Sequence, residues 1–153
     1  MKHLLIIAHA PSSNTQALVD AVLSGCGHSD IEGICSRWLS PFDANPSDIL
    51  SADGLILGTP ENFGYMSGAL KDFFDRCYYP LLEAKRGLPF ASFIRAGLDG
   101  TGTARAISSI TSGLGWQEVQ PPLVLRGDWQ EGFLRQAEEL GTLIAAGMEA
   151  GIF

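Results

Sequence analysis

The chain has 153 residues, 46% of them hydrophobic, and 17 acidic residues against 10 basic ones give a formal net charge of −7. That length supports one hydrophobic core, so residues 1–153 are expected to form a single folded domain. The acidic balance, with no cluster of Lys or Arg, excludes nucleic-acid or anionic-membrane binding through a basic surface.

Cys26, Cys35 and Cys77 form no CxxC or zinc spacing, and the three histidines are scattered. No metal site is expected, and the cysteines read as reduced thiols of a cytoplasmic protein.

From the N-terminus, the apolar run over residues 4–9 is expected to be a strand buried on both faces. Lys2-His3 before a short apolar stretch has the outline of a secretory leader. Pro11-Ser12-Ser13-Asn14 instead leads into a helix, so a first strand is the better reading. No apolar run approaches the ~18 residues of a membrane span.

A helix is expected over residues 14–23, with Ala17, Leu18, Ala21 and Val22 on one side, then a weaker strand over 31–38. Asn45-Pro46-Ser47-Asp48 marks a helix start. A third strand is expected over 54–58, and the clearest helix over 67–84, where Leu70, Phe73, Phe74, Cys77, Leu81 and Leu82 recur at spacings of three and four. Pro80 should kink or end it.

A fourth strand over 89–95 precedes a Gly-rich loop and a helix carrying Ala104, Ile107, Ile110 and Leu114. Residues 119–125 suit a fifth strand, its start confined to an edge by Pro121-Pro122. The last helix spans about 130–148. Alternating strands and helices predict an α/β fold: a three-layer, doubly wound, five-stranded parallel sheet in the order 2-1-3-4-5.

In such a sheet the loops after strands 1, 3 and 4 meet at the carboxyl edge, where ligands bind. The first, His9-Ala10-Pro11-Ser12-Ser13-Asn14-Thr15, places hydroxyls, an amide and open N–H groups at a helix N-terminus, an anion site. Without Lys or Arg it suits a phosphate monoester. The second, Gly58-Thr59-Pro60-Glu61-Asn62-Phe63-Gly64-Tyr65-Met66-Ser67, is about ten residues long, against ~2–6 in ordinary units of this kind. It offers backbone donors, with Phe63 or Tyr65 for the face of a flat ring. The third, residues 96–103, contributes Ala96, Gly97 and Gly100 and permits close backbone approach to a ring edge. Its Gly97-x-x-Gly100-x-Gly102 spacing fails as a dinucleotide fingerprint. Together they point to a flavin. A flavin carries its own redox chemistry, so no catalytic side chain is assigned. Lys71, Asp75 and Arg76 read as surface charges or a helix ion pair, and Trp38, Trp116 and Trp129 as packing residues.

The motif Gly58-Thr-Pro-x-x-Phe-Gly-x-Met-Ser-Gly68, followed by Leu70-Lys-Asp-Phe-Phe-Asp-Arg76, resembles the flavodoxin-like FMN reductases and quinone reductases. That resemblance implies a flavodoxin-like fold and FMN as cofactor, with Pro60, Glu61, Asn62, Phe63 and Gly64 in the loop that wraps the isoalloxazine ring. The first loop resembles the flavodoxin phosphate signature at Ser12, Asn14 and Thr15, departing from it at Ala10 and Ser13. Ala8-His9 followed by Pro11 is similar to the Ala-His-Pro of larger FAD-dependent quinone reductases, which implies a phosphate contact for His9. FMN is preferred because the chain is too short for their adenine site.

The leading expectation is an NAD(P)H-dependent reductase of flavin or quinone-type acceptors, its partners NAD(P)H and a small electron acceptor or redox protein, and a homodimer possible. A one-electron carrier with no substrate of its own, and an interaction module that has lost the cofactor, stay open beside it.

Overall fold

The computed structural model describes residues Met1–Phe153. β1 (Lys2–Ala8) sets the layers: Leu4, Ile6 and Ala8 enter one apolar cluster, Leu5 and Ile7 the other, and all are buried. Alternating side chains that are all apolar suit a strand covered on both faces. β2 (Ile34–Leu39), β3 (Gly54–Asn62) and β5 (Pro89–Ala96) join it in parallel, so that Trp38, Ile6, Ile56 and Ala91 stand in one row across the sheet.

Helices α1 (Ser13–Cys26) and α5 (Gly132–Glu149) cover the Ile6 face, where Leu18, Val22, Ala137 and Ile144 pack. Helices α2 (Pro46–Leu50), α3 (Gly68–Leu81) and α4 (Thr101–Leu114) cover the other face with Ile49, Leu70, Phe73 and Ile107. Each fully buried large side chain, such as Phe73, contributes roughly 1.5–3 kcal/mol through its removal from water. No helix is long and apolar enough to cross a membrane.

The strand order is β2-β1-β3-β5, followed by a fifth position, as the sequence predicts. Three details differ. The fifth position is two short strands, β6 (Gln117–Glu118) and β7 (Leu123–Arg126), both parallel to β5. Pro121 and Pro122 lack N–H donors, so they interrupt the ladder instead of only delimiting its start.

β3 runs four residues beyond the expected end at Gly58 and returns through β4 (Tyr65–Met66), pairing Glu61 with Met66 and Asn62 with Tyr65. The expected open loop is therefore a hairpin. Helix α3 stops at Leu81, one residue past Pro80 and short of the expected 84, because the proline removes a ladder donor.

Candidate functional site at the carboxyl edge of the sheet

The three loops singled out from the sequence emerge side by side from β1, β3 and β5. In the first, the His9 N–H donates to the Gly58 carbonyl at 3.0 Å, carrying the sheet one bond past β1. Ser12 is the N-cap of α1. Its Oγ accepts the Thr15 N–H at 3.2 Å, and its own N–H donates to Thr15 Oγ1 at 3.0 Å. This reciprocal box satisfies two of the four open donors of the helix start. The N–H groups of Ser13 and Asn14 bond to nothing within the chain, both residues are exposed, and no acidic side chain occupies the first turn. The positive end of the helix dipole is thus left for an anion. The Ser12 and Thr15 hydroxyls face each other at 2.9 Å and serve the cap.

His9 packs edge-on against Phe42, ring centroids 6.3 Å apart, with Nδ1 shut away from solvent and unpartnered. Burial lowers its pKa below the ordinary 6.5, which favours the neutral imidazole.

The hairpin presents Phe63 at its tip, fully exposed. Phe63 and Gly64 both have positive φ, 54° and 71°, the requirement of a two-residue type I′ turn. Glycine adopts this freely; a phenylalanine there is strained, and such strain concentrates at functional sites. Buried Thr59 staples the base of the hairpin. Its hydroxyl donates to the Pro60 carbonyl at 2.8 Å and accepts the Ser67 N–H at 2.9 Å. Ser67 then caps α3 through the Leu70 N–H.

The third loop leaves β5 at buried Ala96, passes exposed Gly97 and Leu98, and enters α4 at Gly100, which has φ 72°. Two of its donors are already engaged from across the site. The Leu98 N–H donates to Glu61 Oε1 at 2.7 Å and the Gly100 N–H to Oε2 at 2.8 Å. Asp99 accepts the Thr101 N–H at 3.0 Å, and that bond holds its carboxyl below the usual carboxylate range.

His9, residues 12–15, residues 60–64 and Ala96, Gly97 and Gly100 therefore share one rim. The sequence did not single out Phe42, Leu98 or Thr59. Phe42, Leu98 and Phe63 are all exposed, and an aromatic or leucine inside a polar loop was the available signal. Trp38 packs as expected and donates from Nε1 to the Ala8 carbonyl. Trp129 lies against Phe133 with the Arg95 guanidinium over both rings. Lys71 pairs with Asp75. Arg76 bonds Asp72 and also the Pro41 and Ala44 carbonyls, fixing the segment that carries Phe42. The surface hollows lie elsewhere, for example between Pro121-Pro122 and α5 or beside Tyr78 and Tyr79. The rim is open, and its hydrogen-bond donors, not its concavity, identify it.

The chain belongs to the NADPH-dependent FMN reductase family, whose model matches residues 40–130. It is 32% identical over 110 residues to a flavodoxin of Aquifex aeolicus (strain VF5), covering 72% of this chain and 58% of that protein. It is also 47% identical over 34 residues to an NAD(P)H dehydrogenase (quinone) of Acidithiobacillus ferrooxidans, covering 22% of this chain and 17% of that protein. The matched stretch is thus under two thirds of either relative's length. Among solved structures, a flavodoxin from the domain Archaea superposes with a TM-score of 0.78 at 20% identity, covering 95% of this chain and 97% of that one. A WrbA-like flavodoxin from Agrobacterium tumefaciens gives 0.77 at 21%, covering 95% and 96%. These likenesses establish the fold.

FMN is the cofactor that goes with this family, and the rim fits it. Two open N–H groups at an uncompensated helix start suit a phosphate dianion. Two N–H groups that already hold a pair of carboxylate oxygens suit the polar edge of the ring. The exposed side chains of Phe63, Leu98 and Phe42 would offer apolar surface to its faces.

Proposed function

We propose that this protein holds FMN between its three rim loops and uses it, as an NAD(P)H-dependent oxidoreductase, to reduce flavin or quinone-type acceptors. Ser12, Ser13, Asn14 and Thr15, with His9, form the phosphate end, the open N–H groups of Ser13 and Asn14 doing most of the binding. Pro60, Glu61, Asn62, Phe63 and Gly64 border the ring, and Ala96, Gly97 and Gly100 approach its pyrimidine edge. Bound FMN supplies the capacity to accept two electrons from a nicotinamide and pass them on. The chain's residues bind and orient it, and the Phe63 hairpin shields one face from water. No protein acid or base is required.

The observation that carries this reading is the convergence of two separate donor pairs, at Ser13/Asn14 and at Leu98/Gly100, on the rim that also exposes Phe63. Steady-state assays of the flavin-loaded protein with NADPH or NADH and a quinone test it. Turnover with either donor supports it, and a loaded protein inert with both rejects it.

The 32% match to a flavodoxin favours a second reading, a one-electron carrier docking an acidic surface on a basic redox protein. A redox titration separates the two: a stable one-electron-reduced form belongs to the carrier, a direct two-electron step to the reductase.

A further inference from the structure

We infer that Glu61 is a built-in competitor for the flavin. Its carboxylate occupies the two donors that the ring's pyrimidine edge requires, which makes FMN an exchangeable ligand of this site instead of a permanently held one. The inference rests on the FMN reading above and specifies how that site is regulated.

Each oxygen of the carboxylate serves one donor: Oε1 takes the Leu98 N–H at 2.7 Å and Oε2 the Gly100 N–H at 2.8 Å. Two acceptors joined through one carbon are also what O2, C2 and N1 of an isoalloxazine present, and negative charge spreads over O2 and N1 when the ring is reduced and deprotonated. Carboxylate and ring edge therefore compete for the same pair of N–H groups.

The contact is built in by the fold. Glu61 stands on β3, opposite Met66 in the hairpin ladder, and none of the chain's ion pairs engages it. The loop bonds are thus its only polar partners within the chain. Gly100, buried at φ 72°, is the N-cap of α4, so its N–H has no partner within the helix and meets Glu61 on β3. A ligand reaching these donors must break two charge-assisted bonds and return the carboxylate to water. Its apparent dissociation constant rises in proportion as the form with Glu61 swung out becomes rare.

The test is a titration of isotopically labelled wild type, Glu61→Gln and Glu61→Ala with FMN. Affinity is read by quenching of flavin fluorescence, and the contact by the Leu98 and Gly100 amide signals and the Glu61 carboxyl signal. Glu61→Ala is expected to bind FMN ~10-fold more tightly than wild type. The isosteric Glu61→Gln, which keeps the hairpin intact, should improve by a smaller factor. The wild-type carboxyl signal should move to that of a solvated glutamate as FMN saturates. Equal or weaker binding by both variants, or an unchanged carboxyl signal at saturation, overturns the inference while leaving FMN binding intact. Absence of FMN binding in all three proteins overturns the flavin reading, and the inference with it.

Discussion

Gly102, in the first turn of α4, lies against the carbonyl oxygen of Gly64 so closely that a Cβ on it would come within 2.0 Å of that atom. The hairpin after β3 is thereby seated on the helix that the third loop initiates, and the two halves of the ring site hold each other in register. The missing side chain at Gly102 is a packing requirement between two backbones.

Gly102→Ala is therefore expected to lift the hairpin off α4 and to cost about 1–3 kcal/mol of stability, the usual scale of overpacking. FMN affinity should fall as well. Gly97→Ala is the control, since a Cβ there meets nothing within 4 Å and its φ is not positive; its stability should stay within about 0.5 kcal/mol of wild type. Urea unfolding of both variants checks the pair.

Phe63 accepts a left-handed backbone while leaving its ring in solvent. Asn-Gly is the preferred pair for such a turn, so Phe63→Asn should stabilise the free protein by about 1 kcal/mol by relieving part of that strain. If Phe63 covers a flavin face, the same change weakens FMN binding. A variant that is both more stable and a poorer binder is the expected outcome. One that binds FMN as well as wild type removes Phe63 from the ring site.

Thr59 is 2% exposed, and its hydroxyl is the only acceptor within the chain for the Ser67 N–H. Thr59→Val preserves shape and leaves that buried donor unpaired, at a cost of about 1–3 kcal/mol. Because the lost bond closes the hairpin's base, the Phe63 and Gly64 amides should exchange faster in the variant than in wild type, with those of β1 unchanged. Unchanged exchange would mean that the turn holds its shape without the staple.

Burial lowers the pKa of His9 below 6.5 in the folded state. Between the folded and unfolded values the unfolded chain binds the extra proton, so stability is full above about pH 6.5 and declines as pH falls through that window. His9→Gln removes this contribution. Comparing urea unfolding at pH 7.5 and 5.5, the wild type should lose more stability than the variant; equal losses would show that His9 ionises freely in the fold.

The layer order was legible because β1, β3 and β5 are apolar on both faces, a pattern that only a doubly covered parallel sheet tolerates. The split of the fifth strand was half legible: Pro121-Pro122 announced trouble, but not that β7 would regain its pairing with β5 at Leu123. The hairpin was missed because Gly, Pro and Asn in residues 58–64 mimic an open loop. The alternation that would mark a strand is absent there, and Thr59, its organising residue, carries no signal in its type. The rim itself could be read from composition, since three separate loops each departed from ordinary strand-to-helix turns. That a carboxylate from one loop fills the donors of another depends on distance alone, and no spacing within either loop encodes it.

The most direct test of the central claim is to add FMN to the purified, isotopically labelled protein and to follow every backbone amide to saturation. One FMN should bind per chain, with the largest shifts at Ser13, Asn14, Phe63, Leu98 and Gly100. Shifts centred on another face, such as the hollow beside Tyr78 and Tyr79, or no saturable binding at all, would contradict the assignment of the carboxyl-edge rim as a flavin site.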